Sequence, residues 1–292
     1  MKYAFISDIH GNLPALAAVL NDANEQGVDR FLFLGDYIED LPWPNEVADI
    51  IKNIDNAVAI RGNKEDYLID MQSENKNGWL YDNMAPMYWN YRELASDNLK
   101  YLVGLPETAA ITDEFGEIIH LAHSSSVFIE LSTCEALTEN EEAMANISKL
   151  DKGIYAYGHN HLQWHMEIGG RILINPGSCG MPLDFDIRAP YTILETARNG
   201  YEITERRVPY DVGGTIKSLL SSGLFEKAEI WSRIMVKQLR TGRDYIALFL
   251  RYAMGLAQER GLPDFPVDNK IWSEAAETFE MFNIYEDLGG FI

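Results

Sequence analysis

The chain has 292 residues, 47% hydrophobic and 24% charged, with a formal net charge of −21 at pH 7. These fractions are typical of a globular protein with one large domain, or with a core domain and an accessory one. The acidic excess argues against an extended nucleic-acid partner, which would require Lys and Arg to displace counterions from the phosphates. It does not exclude a small phosphorylated substrate, because bound divalent cations can reverse the local field.

The amino-terminal segment and the cysteine content favour a cytoplasmic location. The first apolar run is too short for a signal peptide, and no small-residue cleavage site follows it. The two cysteines, Cys134 and Cys179, have neither metal-ligand nor redox spacing. Because no stretch reaches the roughly 18 apolar residues needed to span a bilayer, we expect no membrane partner.

Five short apolar runs are each followed directly by a polar cluster. Runs of this length fit strands buried on both faces of a sheet. The runs cover residues 3–6, 31–34, 57–60, 118–121 and 154–157. The clusters after them contain, in order, Asp8 and His10, then Asp36, then Asn63, then His123, then His159 and His161.

Helical patterns separate the early strands. Asn12 is a predicted N-cap, Pro14 is tolerated in the first turn, and Gly27 lies past the end. The apolar positions of this first helix are Leu13, Leu16, Ala17 and Leu20. Residues 44–54 form a second, shorter helical pattern. The β-α-β-α-β order predicts a largely parallel sheet, in which functional groups gather at the carboxyl ends of the strands.

The remaining chain divides into three parts. Residues 66–105 are rich in aromatics, with a helical pattern from about Tyr88 to Val103, and form either a lid or a layer packed beside the sheet; we favour packing. Strands are predicted at 171–174, 191–194 and 201–204, and the Asn175-Pro176-Gly177-Ser178 turn needs no functional explanation. From Asp211 onward the pattern is helical again.

The polar clusters together offer seven metal donors, suited to Mn, Fe, Zn or similar ions. They are Asp8, His10, Asp36, Asn63, His123, His159 and His161. Residues two apart on an extended backbone share one face, so Asp8 and His10 can address one ion, and His159 and His161 repeat this geometry. Alone, a Gly-Asp pair is more often a turn, and a lone His123 is more often a core histidine. Five such pieces in order, each at a strand end, favour a metal site.

The order of these motifs resembles the calcineurin-like metallophosphoesterase superfamily, whose signature is Asp-x-His, Gly-Asp, Gly-Asn-His-Asp/Glu, a lone His and Gly-His-x-His. The match covers roughly residues 1–205. It implies an α/β fold, a four-layer αββα sandwich, in a catalytic domain of residues 1–210, with 66–105 as a helical insertion and 211–292 as a helical C-terminal extension. The opening motif and the Asn175–Ser178 turn look most like the small bacterial phosphodiesterase branch. The tail resembles an extension found in asymmetric diadenosine tetraphosphate hydrolases, among others.

The resemblance also implies two divalent or mixed-valence metal ions. One would be held by Asp8, His10, Asp36 and His161, and the other by Asp36, Asn63, His123 and His159, so that Asp36 bridges them. Two ions about 3.5–4 Å apart lower the pKa of a bridging water, and the resulting hydroxide attacks phosphorus in line. Asn63 and His123 are therefore candidate catalytic residues as well as ligands.

The third motif departs from the family pattern, because Lys64 occupies the place of a histidine thought to protonate the leaving group. Lys64 is either a cation that steadies phosphate charge, an acid if its pKa is depressed, or a solvated loop residue. Arg61 is a candidate substrate-binding residue that would contact the phosphate. Glu65 and Asp66 are interpreted as an acidic pair at a helix start.

We therefore expect a hydrolase of small phosphodiesters or nucleotide phosphoanhydrides, with a small phosphorylated substrate for which a nucleotide is one candidate. The missing histidine disfavours simple alkyl monoesters. The alternatives are a phosphomonoesterase or protein phosphatase and, in another class, a non-catalytic interaction module on the same fold. The sequence leaves the oligomeric state and the native metal open.

Overall fold

The computed structural model describes residues 1–73, 77–124, 139–281 and 283–286, so Cys134 lies outside the described residues. The strands are β1 (Lys2–Ile6), β2 (Arg30–Phe33), β3 (Ala57–Ala59), β4 (Thr108–Thr112), β5 (Ile118–Ala122), β6 (Gly153–Ala156), β7 (Gln163–Ile168), β8 (Arg171–Pro176), β9 (Ala189–Ala197) and β10 (Gly200–Val208). The α-helices before β7 are α1 (Leu13–Glu25), α2 (Pro44–Asn53), α3 (Asn63–Met71), α4 (Ala85–Glu93), α5 (Ser96–Val103) and α6 (Glu141–Lys149). Those after β10 are α7 (Val212–Leu220), α8 (Gly223–Lys227), α9 (Glu229–Thr241), α10 (Tyr245–Glu259) and α11 (Asn269–Thr278).

The strands form two mixed sheets. The first has the order β10-β9-β1-β2-β3 and the second the order β4-β5-β6-β8-β7. The pairs β1-β2 and β2-β3 are parallel, as predicted from the β-α-β order, and in the second sheet β5-β6 and β6-β8 are parallel as well. Antiparallel strands flank them, because β9 returns beside β1 and the hairpins β4-β5, β7-β8 and β9-β10 close the edges. The prediction missed β4 and the pairing of β7.

The two sheets pack face to face with helices outside, which gives the four layers implied by the family resemblance. Tyr3 and Phe5 point into the core between the sheets, where they join Leu121 and Ile174. Ala4 and Ile6 alternate to the other face of β1 and pack with side chains of α1 and α2. On the outer face of the second sheet, Ile147 of α6 joins Tyr155 and Leu173.

Helix α1 shows how the chain turns away from the end of β1. The side chain of Asn12 accepts a hydrogen bond from the Ala15 N–H at 3.2 Å, which confirms the predicted N-cap. Gly27, past the end of the helix, has a φ of +70°. The buried stripe of α1 is Ala15, Leu16, Val19 and Ala23. Ala17, which was expected on this face, is exposed.

The aromatic insertion contributes two helices where the pattern indicated one. Helices α4 and α5 are separated at Leu94 and Ala95, both of which have extended backbone. Tyr67, Trp79, Tyr88, Tyr91 and Tyr101 pack against the core beneath the first sheet. The insertion therefore packs beside the sheet, as favoured.

The helices after β10 have a core of their own that also includes parts of the sandwich. Trp272, Phe249 and Leu239 are buried in it, together with Leu41 and Met181 from the first 210 residues. The predicted boundary at 210/211 falls between β10 and α7, and its status as a domain boundary stays a prediction. None of the helices in the described ranges combines the length and hydropathy needed to cross a membrane.

Candidate metal centre

The seven predicted ligands converge at the carboxyl ends of five strands. Their candidate ligand atoms form two groups, each within 4.8 Å of one another: Asp8 with His10 and His161, and Asp36 with His123 and His159. Asn63 joins the second group, since its Oδ1 lies 3.0 Å from His159 Nδ1 and 3.1 Å from His123 Nε2. The structure thus brings together every residue that the motif order singles out as a ligand.

Asp36 lies between the two groups. Its Oδ2 is 3.4 Å from His123 Nε2 in one group and 3.9 Å from His10 Nε2 in the other. Its Oδ1 accepts a hydrogen bond from the Lys64 N–H at 2.9 Å. One oxygen is therefore fixed by the start of α3, while the other faces imidazoles of both groups. This is the arrangement expected of a bridging ligand.

Asp8 and His10 lie in one group, as predicted, but the predicted reason is wrong. The backbone at the candidate ligands is not extended, so these two residues do not share one face of a strand. Five ligands have left-handed backbone, with φ between 51° and 74°: Asp8, His10, Asp36, His159 and His161. Such values are uncommon outside glycine and concentrate at functional sites. Each left-handed residue turns the chain sharply just after its strand. In consequence His159 and His161 fall into different groups of candidate ligands.

Two of the imidazoles are fixed by backbone carbonyls, which can only accept. His123 Nδ1 donates to the Leu34 carbonyl at 2.7 Å, and His161 Nδ1 donates to the Met181 carbonyl at 2.8 Å. The Nε2 atoms of both rings therefore face the site.

The donor set fits a bound cation. His161 Nε2 lies 3.2 Å from His10 Nε2, while the other ring nitrogen of each histidine faces an acceptor. The two Nε2 lone pairs then oppose each other unless a positive charge lies between them. Carboxylate, amide and imidazole ligands of this kind suit divalent transition metals.

The charges around the cluster also favour a bound cation. Burial disfavours an imidazolium, but Asp40 and Asp36 raise the pKa of His10 to about 9. Asp36 and Asp8 likewise outweigh burial and raise the pKa of His123 to about 10. Burial raises the pKa of Asp8, but the facing His161 imidazole holds it at about 2. A field that favours protons on buried histidines also favours metal cations.

Asp40 connects His10 to the C-terminal helices. Asp40 Oδ2 lies 2.9 Å from His10 Nδ1, and its Oδ1 accepts a hydrogen bond from Trp231 Nε1 at 2.8 Å. All three side chains are buried. A carboxylate behind a ligating imidazole fixes its tautomer and raises its basicity. The sequence interpretation missed both Asp40 and Trp231.

Glu65 holds the two loops that carry Asp36 and Asn63. Its carboxylate accepts hydrogen bonds from the backbone N–H groups of Asp36 at 2.9 Å, Tyr37 at 3.0 Å and Gly62 at 2.8 Å. Burial and the charge of Asp36 raise the pKa of Glu65 to about 7, although these donors lower it. Glu65 does lie in the first turn of α3, as predicted, but it is fully buried and also organises the loop after β2.

The turn after β8 supports the loop that carries Asp8. Ser178 Oγ and the Gly180 N–H both donate to the Asp8 carbonyl, at 2.7 Å and 3.1 Å. The Cys179 N–H donates to the Ser7 carbonyl at 2.8 Å. The turn therefore has a structural role beside the candidate ligands that the sequence did not predict. Gly158 also packs closely against the loop that carries Asp8, since a Cβ atom at this position would lie 2.0 Å from Ser7 Oγ.

Lys64 is neither solvated nor acidic. Its Nζ lies 2.6 Å from Glu39 Oε2, and its side chain is 18% exposed. Burial would lower the pKa of Lys64, but neighbouring carboxylates, chiefly Glu39, raise it well above its usual value. The solvated-loop interpretation is therefore wrong, and the depressed pKa that an acid would need is not found. A phosphate-steadying cation stays the prediction.

Arg61 lies beside the site with its guanidinium engaged elsewhere. It donates to Asp66 at 2.7 Å and to the Leu105 carbonyl at 2.8 Å, and it pairs with Glu107. These contacts tie the loop after β3 to the segment that leads into β4. A role in phosphate binding stays a prediction.

A four-layer sandwich of two mixed sheets, with two groups of carboxylate and imidazole ligands at its strand ends, has the architecture of a metallophosphoesterase. Residues 1–199 match the calcineurin-like phosphoesterase superfamily domain. The chain therefore belongs to that superfamily, whose members are generally metal-binding phosphoester hydrolases. This confirms the family and the fold class predicted from the motif order.

The chain is also similar to several known proteins. The chain is 28% identical over 243 residues to the uncharacterized protein MJ0912 of Methanocaldococcus jannaschii, covering 76% of this chain and 93% of that protein. It resembles the crystal structure of a metallophosphoesterase from Sphaerobacter thermophilus with a TM-score of 0.63 and 25% identity, over 83% of this chain and 99% of the other. The hypothetical protein PH1004 from Pyrococcus horikoshii OT3 shares the fold, with a TM-score of 0.65, 21% identity and coverages of 82% and 98%.

Proposed function

We propose that this protein is a two-metal hydrolase of small phosphodiesters or nucleotide phosphoanhydrides that acts through a metal-bridging hydroxide. The observation that supports this best is the position of Asp36, whose Oδ2 faces histidines of both ligand groups. Asp8, His10, Asp36 and His161 would hold one cation. Asp36, Asn63, His123 and His159 would hold the other.

When bound, two divalent cations lower the pKa of a water and neutralise phosphate oxygens. The chain's own contribution is to fix the ligands before any substrate arrives. Leu34 and Met181 orient two imidazoles through their carbonyls, and Glu65 holds the Asp36 loop. Such preorganisation keeps donors in the productive geometry without reorganisation during the reaction.

Lys64 supports a diester or an anhydride as the substrate. We infer that it steadies phosphate charge, since its raised pKa keeps it cationic at neutral pH. Its Nζ is held near the site by Glu39, whose backbone N–H and carbonyl are both bonded to the Asn90 side chain, at 3.3 Å and 2.6 Å. Because an ammonium with a raised pKa gives up its proton less readily, leaving groups that need little protonation should react best.

Replacing Lys64 by Ala should lower kcat/KM by roughly tenfold, the effect expected of one lost charged contact of about 1.5 kcal/mol. The loss should be similar for diesters with good and with poor leaving groups, because a positioned cation interacts with phosphate oxygens in both. The measurement is kcat/KM over a series of substituted aryl diesters, with Lys64→Arg as the matched control that keeps the charge. A steep dependence on the leaving group would instead make Lys64 the acid.

The proposal as a whole is tested with metal-stripped protein that is refilled with Mn, Fe, Zn or Mg. Each form is assayed against an aryl diester, an aryl monoester, a cyclic nucleotide and a dinucleoside polyphosphate. We expect two ions per chain and turnover of the diester or the polyphosphate above that of the monoester. A monoester preference would make the protein a phosphomonoesterase. Metal binding without any turnover would favour a non-catalytic module.

A further inference from the structure

An apolar cleft lies where the aromatic insertion meets the C-terminal helical region. It has a volume of about 300 Å³ and is lined by Tyr67, Gly78, Trp79, Met84, Phe265 and Pro266. None of these described lining residues carries a charge. The rings of Tyr67 and Trp79 lie 5.3 Å apart at a tilt of 55°. Three separate segments of the chain therefore build one small recess with three aromatic side chains in its lining, which we call the aromatic cleft.

The aromatic cleft lies next to the candidate metal centre. Tyr67 is four residues after the ligand Asn63 on α3, so the two side chains lie on the same helix face, about 6 Å apart along the axis. Lys64, next to Asn63 in the chain, has its Nζ 5.5 Å from the centre of the Tyr67 ring. The candidate ligand Asn63, the Lys64 cation and the Tyr67 ring thus all belong to the first five residues of one helix.

Packing alone does not account for the cleft. Met84 is buried, but Phe265 is 50% exposed, and Trp79 is only partly buried. Exposed aromatic rings around a recess beside a polar centre are typical of small-ligand sites, which start at about 300 Å³. Aromatic faces stack on planar rings without requiring hydrogen bonds from the ring edges.

We propose that the aromatic cleft holds a planar aromatic group joined to the substrate phosphate, of the kind that a nucleobase presents. The phosphate lies at the metal ligands, Lys64 lies between the two subsites, and the ring stacks with Tyr67, Trp79 and Phe265. This inference rests on the proposed function, and it specifies which phosphoesters the site prefers. Recognition depends on the face of the ring, so adenine and other nucleobases should bind similarly.

The test compares two ligands that differ only by the base, AMP and ribose 5-phosphate, with the Mn-loaded protein. Calorimetry should show AMP binding about tenfold more tightly, the lower part of the range for stacking one base on aromatic side chains. Phe265→Leu and Trp79→Leu should each reduce this preference several-fold. Phe265 is half exposed, so its substitution carries little risk to folding. Phe115→Leu, in the turn before β5 and 45% exposed, is the matched control and should keep the preference.

Equal affinity of the wild-type protein for the two ligands would overturn the aromatic cleft while leaving the proposed phosphate site intact. An AMP preference that both cleft variants retain would overturn it as well. If neither phosphate binds to the Mn-loaded protein, the proposed function fails, and the cleft assignment fails with it. Quenching of tryptophan fluorescence by AMP, lost in Trp79→Leu, gives a readout independent of turnover.

Discussion

Replacing Asp36 by Asn is expected to remove at least one metal ion and to lower kcat on an aryl diester by about 10³-fold or more, equivalent to some 4 kcal/mol of transition-state stabilisation. The physical reason is that Asp36 Oδ2 faces His123 at 3.4 Å and His10 at 3.9 Å. An amide nitrogen at that position cannot ligate a cation. Both ion sites therefore lose a charged ligand through one substitution.

Asparagine is the informative replacement because it preserves the other half of the side chain. Its carbonyl oxygen can still accept the Lys64 N–H, which Asp36 Oδ1 holds at 2.9 Å. It also removes one negative charge that repels Asp8 and attracts the imidazoles of His10 and His123, so that a lost repulsion and a lost attraction offset each other. We therefore expect little change in the melting temperature of the metal-free protein.

The measurements are metal content, kcat and the melting temperature with and without Mn. A ligand at 100 times its Kd stabilises a protein by about 2.7 kcal/mol, so the gain in melting temperature on adding Mn should shrink in Asp36→Asn. Asp55→Asn, at an exposed aspartate after α2, is the matched control. If the variant retained both ions and full turnover, Asp36 would not bridge and the two-metal proposal would fall.

The sequence predicted the placement of the ligands because parallel strands bring their carboxyl ends to one edge. An apolar run followed by a polar cluster marks a strand end, and the predicted runs lie at β1, β2, β3, β5 and β6. The helix starts at Asn12 and Pro44 were also predicted from the sequence, since capping and Pro preferences are local. Local chemistry thus predicted the strands that carry the candidate ligands and the edge at which these residues meet.

The sequence did not predict the backbone conformation of the candidate ligands or the contacts between residues far apart in the chain. Left-handed backbone at Asp8 and His10 depends on the loops that hold them, including hydrogen bonds from their N–H groups to the Gly35 and Asp36 carbonyls. Trp231 contacts Asp40 across 191 positions in the chain, and no spacing rule connects such residues. The family motif does not include them either.

The sequence predicts part of the hydrogen bonding of Glu65. A glutamate three residues after Gly62 fits a capping box, in which the side chain returns to the N-cap N–H. This signal predicts one of its three bonds. The other two, to the N–H groups of Asp36 and Tyr37, connect α3 to the loop after β2 and arise only from tertiary packing.

Glu65→Gln is therefore expected to lower the melting temperature by about 2–5 °C and to weaken metal binding by roughly tenfold. The carboxylate accepts three backbone N–H groups, whereas a glutamine amide offers one oxygen and turns an NH₂ group toward the remaining donors. At least one buried N–H is left without an acceptor, which costs about 1–3 kcal/mol. The loop that carries Asp36 then loses its fixed position.

The melting temperature of the metal-free protein separates this role from that of a ligand. Asp36→Asn should leave it nearly unchanged, whereas Glu65→Gln should lower it, because Glu65 holds backbone and faces no metal group. At saturating Mn, Glu65→Gln should recover most of its kcat, since all seven proposed ligands are still present. Glu25→Gln, at an exposed glutamate in the last turn of α1, controls for the loss of charge. If Glu65→Gln melted like the wild type and kept its metal affinity, the three hydrogen bonds would not be what positions Asp36.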